Sequence, residues 1–180
     1  VVAVGRNPPK SRPFSLGIGD GDARYRYEQI HVGQEPERLF ALFDEISPDV
    51  VVNYAAQGEG AVSRKNSWRF FDTNATAPAR LYEALEAREW FNPSGHFIQI
   101  GTSELYGSVS APAREDAPIV PSSPYAASKA AFDLYLLAMR RAGRGMPTTI
   151  LRPSNCYCPG QLLHRIIPRA VVAGLTGRRV

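Results

Sequence analysis

The sequence has few of the residues that mark disulfide-rich or thiol-dependent proteins. It contains 2 cysteines in 180 residues, Cys156 and Cys158, and a single residue separates them. A disulfide across so short a loop would be strained, and the pair lacks the CxxC spacing of redox and zinc sites. We therefore predict reduced thiols in a cytoplasmic protein.

Metal clusters, membrane segments and charge blocks are also missing from the pattern. The 3 histidines are far apart in sequence, so we predict no metal site. No apolar run approaches the ~20 residues of a membrane span, and no signal peptide is visible. The net charge of +4 is dispersed, and the group Arg140, Arg141 and Arg144 suits a helix C-terminus. No nucleic-acid-reading motif accompanies it, so we expect no nucleic-acid partner.

What the sequence does contain is an alternation of strand and helix patterns. Apolar runs predict strands at Val1–Val4, Tyr25–Val32, Asp49–Ala56, His96–Gly101 and Thr148–Leu151. Helical periodicity predicts helices at Glu35–Ile46, Ser67–Arg88, Pro124–Arg141 and Ile166–Leu175. Pro78 predicts a kink or break in its helix, and Lys10–Gly21 is expected to be a loop. The order predicts a doubly wound parallel α/β sheet.

Tyr125 and Lys129 form a Y-x-x-x-K pair within the predicted helix Pro124–Arg141. Residues at this spacing lie on one helix face, so the phenol and the ammonium can meet. A free phenol ionises near pH ~10, and a neighbouring cation lowers that pKa by stabilising the phenolate. Such a tyrosine can accept a proton from a hydroxyl while hydride leaves the same carbon. The pair alone is a weak signal.

Polar residues follow neighbouring predicted strands. The run Gly101–Gly107 (GTSELYG) comes after one strand, and Pro153–Asn155 comes after the next. Ligands of open α/β sheets bind at the carboxyl ends of the strands. We therefore expect an active site at this sheet edge.

Taken together, these motifs resemble the extended short-chain dehydrogenase/reductase family, of the nucleotide-sugar epimerase/dehydratase type. The resemblance runs along the whole chain and rests on NYAAQ at Asn53–Gln57, Asn74, TSELYG at Thr102–Gly107, SPYAASK at Ser123–Lys129 and LRPSNCY at Leu151–Tyr157. The string TSELYG is similar in particular to that of GDP-mannose 4,6-dehydratases.

The resemblance implies a Rossmann-like fold and a role for each matching residue. Tyr125 is the implied acid/base, Lys129 its partner, and Thr102 the hydrogen-bonding residue for the reacting hydroxyl. Asn74 is implied to steady the sheet edge. The implied cofactor-binding residues are Gly5, Arg6, Ala55, Ala56, Gln57, Tyr125, Lys129, Pro153 and Ser154. The implied substrate-binding residues are Ser103 and Asn155.

Members of this family oxidise C4 of the sugar first and differ in the next step. A 4,6-dehydratase then removes a proton at C5 and expels water from C6, which requires a further acid/base. Glu104 stands where related dehydratases place that carboxylate, so we expect a dehydratase. A 4-epimerase, or a decarboxylase or reductase, remains an alternative, as does a non-catalytic cofactor-binding relative or a structural subunit.

The cofactor expectation rests on the residues after the first predicted strand. NAD-specific relatives tend to carry an acidic residue there, whereas this chain has Arg6, which could pair with a 2′-phosphate. We therefore expect NADP in preference to NAD. Gln34 replaces the Asp that usually follows Gly33, and Cys158 stands where relatives usually have Gly.

The family's Gly-rich loop and C-terminal lobe have no counterpart among residues 1–180. We expect these residues to form a partial nicotinamide-binding Rossmann domain that lacks the first strand and the substrate lobe. The expected partners are a nucleotide-diphosphate sugar and a second copy of the chain. The second copy is expected to contact helices 67–88 and 124–141, and no membrane contact is expected.

Overall fold

A computed structural model describes residues 1–8, 23–58, 60–88 and 95–179. The chain forms two compact units, one from Val1–Gln29 with Asn155–Val180 and one from Ile30–Ser154. The loop predicted over Lys10–Gly21 lies outside the described residues.

Strands and helices alternate along the described residues. In chain order they are β1 (Val2–Gly5), β2 (Arg26–Gln29), α1 (Pro36–Ile46), β3 (Val50–Asn53), α2 (Gly60–Ser63), α3 (Ser67–Phe71), a π-helical segment (Asp72–Thr76), α4 (Ala77–Glu86), β4 (His96–Ile100), a one-turn 3₁₀ helix (Ser103–Tyr106), α5 (Pro124–Arg141), β5 (Thr148–Leu151) and α6 (Ile166–Thr176).

The first unit contains β1, β2 and α6. Strands β1 and β2 are parallel, with Val2 opposite Arg26 and Gly5 opposite Gln29. The Gln29 side chain donates a 3.2 Å hydrogen bond to the carbonyl of Arg6 just beyond β1. This bond holds Arg6, which follows β1, close to the C-terminal end of β2.

The second unit is built on a parallel sheet with the order β3-β4-β5. Asn53 lies opposite Gln99, and Ile100 lies opposite Leu151, so the three carboxyl ends share one edge. Buried Val51 and Phe97 supply apolar surface in the sheet. Apolar contacts of this kind are the main source of stability in a parallel sheet covered by helices.

The helices of the second unit bury apolar side chains, as α1 shows. Helix α1 begins with Pro36, which suits a first turn because it lacks an N–H, and buries Leu39, Leu42 and Phe43. Several buried aromatic side chains of the other elements pack edge to face, as Tyr82 does against Phe97 at 5.2 Å between ring centroids. Because Tyr82 is on α4 and Phe97 is on β4, this edge-to-face contact stabilises the packing of α4 against β4.

The long helix predicted over Ser67–Arg88 is present but irregular. Its regular turns are interrupted at Asp72–Thr76 by π-helical turns, and Pro78 follows in the first turn of α4. Proline has no N–H to donate and crowds the preceding turn, so a widened turn accommodates it without ending the helix. The expected kink or break at Pro78 is therefore replaced by a π-helical segment just before it.

The predicted fold class is confirmed as a Rossmann-like α/β fold with parallel strands in each sheet. The predicted strands and helices are present, although β2 and β3 are shorter than expected. The short helices at Gly60–Ser63 and Ser103–Tyr106 were not predicted, because each is too brief to show a period. None of the helices in the described ranges combines the length and apolar character needed to span a lipid bilayer.

Candidate active site

The carboxyl edge of the β3-β4-β5 sheet gathers the segments that the sequence singled out. The backbone N–H of Gly101 donates to the carbonyl of Leu151 at 2.7 Å, and that of Ser103 donates to Pro153 at 3.0 Å. These bonds continue the pairing of β4 and β5 beyond the strands. The two polar segments therefore run side by side at the edge where ligands of such sheets bind.

The segment after β4 carries Thr102 and Glu104. Thr102 is extended, buried and caps the 3₁₀ helix, since its Oγ1 accepts a 3.3 Å hydrogen bond from the N–H of Glu104. Leu105 is wholly buried and anchors the turn. The turn thus fixes the backbone on which both polar side chains stand.

Gly107 ends this turn for a steric reason. Its φ is 68°, and a Cβ at this position would lie 2.3 Å from the carbonyl oxygen of Val120. Val120 in turn donates its N–H to Leu105 at 2.9 Å. Only glycine permits both this backbone conformation and this approach.

Helix α5 begins at a cap that the sequence predicted. Ser123 is extended, and its Oγ accepts a 3.1 Å hydrogen bond from the N–H of Ala126, with Pro124 in the first turn. Tyr125 follows in that turn, and its ring meets Phe70 edge to face at 6.5 Å between centroids. The cap therefore fixes the position of Tyr125 in the first turn of α5.

Lys129 joins α5 to the end of β4. Its Nζ donates a 2.6 Å hydrogen bond to the carbonyl of Ile100, two residues before Thr102, although the residue is only 3% exposed. Burial lowers the pKa of the Lys129 amine, and the Asp133 carboxylate opposes that shift. The structure therefore brings the Lys129 ammonium to the strand end that leads into Thr102.

Glu104 and the start of α5 both lie close to Gly60. A Cβ placed on Gly60 would lie 3.9 Å from Oε2 of Glu104 and 3.7 Å from Oγ of Ser123. The two distances place the Glu104 carboxylate and the Ser123 hydroxyl beside Gly60. The Glu104 carboxylate therefore lies near the N-terminal end of α5, where Tyr125 follows in the first turn.

The segment after β3 is held by buried amides. Asn53 accepts a 3.2 Å hydrogen bond from the N–H of Ala55, while its own amide donates to Gln99 at 2.8 Å. Gln57 is bonded to Asn74 at both its N–H and its carbonyl. The backbone from Ala55 to Gln57 is thereby fixed, with Ala56 exposed between them.

The other predicted site residues are divided between the units. Pro153 and Ser154 follow β5 in the second unit, where Ser154 is exposed. Gly5, Arg6 and Asn155 belong to the first unit, and Arg6 and Asn155 are exposed there.

Residues 20–180 match the model of the NAD dependent epimerase/dehydratase family. The chain belongs to this family.

The relatives include dTDP-glucose 4,6-dehydratases of two bacteria. A dTDP-glucose 4,6-dehydratase of Streptomyces griseus is 32% identical over 169 residues, which are 93% of this chain and 49% of the relative. A dTDP-glucose 4,6-dehydratase of Neisseria meningitidis is 33% identical over 163 residues, or 86% of this chain and 45% of the relative. The chain thus spans about half the length of the curated relatives it matches.

Solved structures of the family share the fold. DesIV, a dTDP-glucose 4,6-dehydratase from Streptomyces venezuelae with NAD and TYD bound, has a TM-score of 0.72 and 30% identity, covering 88% of this chain and 47% of its own. A UDP-glucuronic acid 4-epimerase from Bacillus cereus in complex with NAD has a TM-score of 0.70 and 26% identity, covering 87% and 48%. The family therefore includes proteins named for either reaction.

The buried ion pair between Asp133 and Arg152, which lies near Lys129 of the Y-x-x-x-K pair, was not predicted from the sequence. Asp133 lies one turn after Lys129 and is wholly buried, and Arg152 donates to it at 3.0 Å. The signal was present in part, because Lys129 and Asp133 have the spacing that places side chains on one helix face. The partner Arg152 gave no signal, since its contact with Asp133 depends on how β5 and α5 pack.

Proposed function

We propose that the protein is a nucleotide-sugar 4,6-dehydratase, with residues 1–180 as its nicotinamide-binding part. The observation that carries this proposal is the position of Glu104. Glu104 follows Thr102 by two residues, and its carboxylate lies beside Gly60, as does the Ser123 hydroxyl at the start of the helix that carries Tyr125. A dehydratase requires a carboxylate at that point, and an epimerase does not. The names of the relatives from Streptomyces griseus and Neisseria meningitidis support the same reaction.

The residues at the sheet edge suit a nicotinamide dinucleotide. The Lys129 ammonium has more hydrogens than the Ile100 carbonyl can accept, so donors remain for the hydroxyls of a ribose. The fixed backbone from Ala55 to Gln57 offers a firm surface beside it. When bound, the nicotinamide supplies an acceptor and later a donor of hydride.

In the first step we assign proton transfer to Tyr125. Thr102 orients the C4 hydroxyl of the sugar, and the phenolate of Tyr125 accepts its proton as the hydride leaves C4. The positive charge of Lys129 favours the phenolate form. The product of this step is a ketone at C4.

In the second step we assign Glu104 a role at C5 and C6. The C4 ketone makes the C5 proton acidic, and the Glu104 carboxylate accepts it. The carbon–oxygen bond at C6 then breaks, and the leaving hydroxide takes the proton that Glu104 holds and departs as water. A bound nicotinamide would supply the hydride for C6, and the proton that Tyr125 took from the C4 hydroxyl would balance the one delivered to C5, which gives a 4-keto-6-deoxy sugar and leaves both side chains in their starting forms.

For the cofactor, we propose NAD as the first candidate and NADP as the second. Exposed Arg6 favours NADP through its charge, whereas the neighbours from Streptomyces venezuelae and Bacillus cereus were solved with NAD. Titration of the full-length protein with each cofactor, followed by Arg6→Ala, separates these possibilities. A selective loss of NADP affinity in Arg6→Ala is the result that favours NADP.

We also propose a cytoplasmic homodimer formed through helices 67–88 and 124–141. Trp68 and Leu134 expose 61% and 49% of their surface on these helices, and apolar exposure suits an interface. The cytoplasmic location is supported by the spacing of Cys156 and Cys158, because a disulfide across a single residue would be strained and reduced thiols are typical of that compartment. Light scattering of wild-type protein and Leu134→Glu tests the dimer, which we expect the variant to weaken.

One experiment separates the proposed reactions. The full-length protein is incubated with dTDP-, GDP-, UDP- and CDP-sugars, and the masses of the products are measured by mass spectrometry. Loss of one water supports the dehydratase. An unchanged mass with altered stereochemistry identifies a 4-epimerase, the alternative that the Bacillus cereus neighbour favours. Loss of carbon dioxide identifies a decarboxylase, and cofactor binding without turnover identifies a non-catalytic relative.

A further inference from the structure

Lys129 is a buried side chain, and its burial disfavours the protonated, charged form. The residue is 3% exposed, and Nζ has one described hydrogen-bond acceptor, the carbonyl of Ile100. Burial lowers the pKa of this amine. The proposed role of Lys129 requires the protonated form, so a nearby negative charge is needed to preserve it.

Asp133 supplies that charge from the same helix. It lies one turn after Lys129 on α5, and its charge raises the pKa of the Lys129 amine against the effect of burial. The carboxylate is closely confined, since a Cβ on Gly101 would lie 3.0 Å from Oδ2 and 3.2 Å from Oδ1. Gly101, which has no side chain, therefore leaves space for the Asp133 carboxylate.

The carboxylate of Asp133 is only partly hydrogen-bonded. Oδ2 accepts a 3.0 Å bond from Nε of Arg152, while Oδ1 is buried and has no hydrogen-bond partner in the described part of the chain. A buried carboxylate oxygen without a partner is costly. The fold would be more stable if this carboxylate were fully hydrogen-bonded, or if apolar side chains replaced the Asp133–Arg152 ion pair. Stability alone therefore does not explain the ion pair.

Arg152 connects this carboxylate to the segment that carries Thr102 and Glu104. Nη1 donates to the Tyr106 hydroxyl at 2.7 Å and to the Glu115 carbonyl at 3.1 Å. Its guanidinium carbon also lies 5.4 Å from the centroid of the Tyr106 ring. One side chain thereby links α5 to the 3₁₀ helix at the sheet edge.

We propose that Asp133, fixed by Arg152, is a positioning residue that keeps Lys129 protonated and its ammonium at the Ile100 carbonyl. It acts through Lys129 and does not touch the sugar. The proposal rests on the proposed function of Lys129 but does not depend on which sugar is bound. The charged and titratable groups around it are Lys129 and Asp133 on α5, Arg152 after β5, and Tyr106 on the 3₁₀ helix.

The test measures the Kd for NADH of the full-length protein against pH, by fluorescence and without any sugar. In Asp133→Asn, the pH above which NADH binding weakens is expected to fall, because the negative charge that raises the pKa of Lys129 is lost. Asp116→Asn is the matched control, since Asp116 is 82% exposed and its ion-pair partner among the described residues is the exposed Arg114. The control is expected to follow the wild-type profile.

A second variant covers the case in which Asp133→Asn does not fold. The double variant Asp133→Asn/Arg152→Gln removes both charges of the ion pair, which restores charge balance around the pair. If the pair is merely structural, this folded double variant binds NADH with the wild-type pH dependence, and the proposal is overturned. If Asp133 acts on Lys129, the lowered pH limit persists in it.

Lys129→Met separates this inference from the proposed function. If Lys129→Met binds NADH and turns over sugar as the wild type does, the function assigned to Lys129 fails. If Lys129→Met is defective but folded Asp133→Asn keeps the wild-type pH dependence, only the positioning role is overturned. The role is supported when the shift caused by Asp133→Asn vanishes in the Lys129→Met background.

Discussion

The side-chain amide of Asn74 closes a pair of hydrogen bonds with the backbone of Gln57. Oδ1 accepts from the Gln57 N–H at 2.8 Å, and Nδ2 donates to the Gln57 carbonyl at 3.0 Å. Nδ2 also donates to Oγ of Ser128 at 2.9 Å, and Ser128 Oγ donates to the carbonyl of Tyr125. One buried amide therefore connects the segment after β3 with the first turns of α5.

The π-helical segment Asp72–Thr76 explains how Asn74 comes to do this. Its widened turns change the angle at which side chains leave the helix, and π turns are frequent at functional sites. In Asn74→Ala we expect the free energy of unfolding to fall by about 2–4 kcal/mol, because buried partners lose their hydrogen bonds. Urea unfolding measures the change, and exposed Thr76→Ala in the same segment is the control, expected within about 0.5 kcal/mol of wild type. A loss no larger than the control's would contradict the role of Asn74.

Tyr125→Phe tests the proposed acid/base. Phenylalanine retains the ring that meets Phe70 but cannot transfer a proton. We expect turnover to fall by about 10²–10⁴-fold, as judged by the formation of reduced nicotinamide. Undiminished turnover would remove Tyr125 from the mechanism.

Tyr135→Phe is the matched control for that change. Tyr135 lies on the same helix, its hydroxyl donates to Glu83 at 3.2 Å, and burial raises its pKa to about 12, so it is a poor base at neutral pH. We expect this variant to keep its activity and to lose about 1 kcal/mol of stability with one hydrogen bond. A large loss of activity in Tyr135→Phe would show that removing any phenol from α5 is harmful.

Glu104→Gln separates oxidation from water loss. The amide keeps the size of the side chain but cannot accept the C5 proton, so we expect reduced nicotinamide to form while the mass of the product shows no dehydration. Glu115→Gln is the control, because the Glu115 side chain is exposed and only its carbonyl contacts Arg152. Full dehydration by Glu104→Gln would refute the role assigned to Glu104.

Gly107→Ala tests the turn that carries Thr102 and Glu104. Gly107 and Gly143 both have a φ of 68°, but a Cβ meets the Val120 carbonyl at 2.3 Å only at Gly107, and it meets no described atom within 4 Å at Gly143. Gly143→Ala therefore measures backbone strain alone, about 1–2 kcal/mol. Thermal unfolding is expected to show a larger loss in Gly107→Ala, with reduced activity. Equal losses in the two variants would show that the contact with Val120 is easily relieved.

Local patterns in the sequence predicted most elements of the fold and the first residues of the site. The cap at Ser123 and the spacing of Tyr125 and Lys129 follow from helical geometry, which depends on residues close together in the chain. The order of strands and helices placed Thr102 at a strand end, because parallel strands present their carboxyl ends at one edge. The family resemblance extended these predictions to Asn74 and Glu104.

The sequence by itself thus determined the alternation of elements and the residue types that meet at the sheet edge. Only the tertiary structure decided that Arg152 pairs with Asp133, that Asn74 holds Gln57 and that Lys129 bonds to Ile100. Each of these contacts joins residues in different segments of the chain, at separations of 17 to 29 positions. Such pairs carry no periodic signal, because the packing of helices against the sheet and the closure of the intervening loops bring them together.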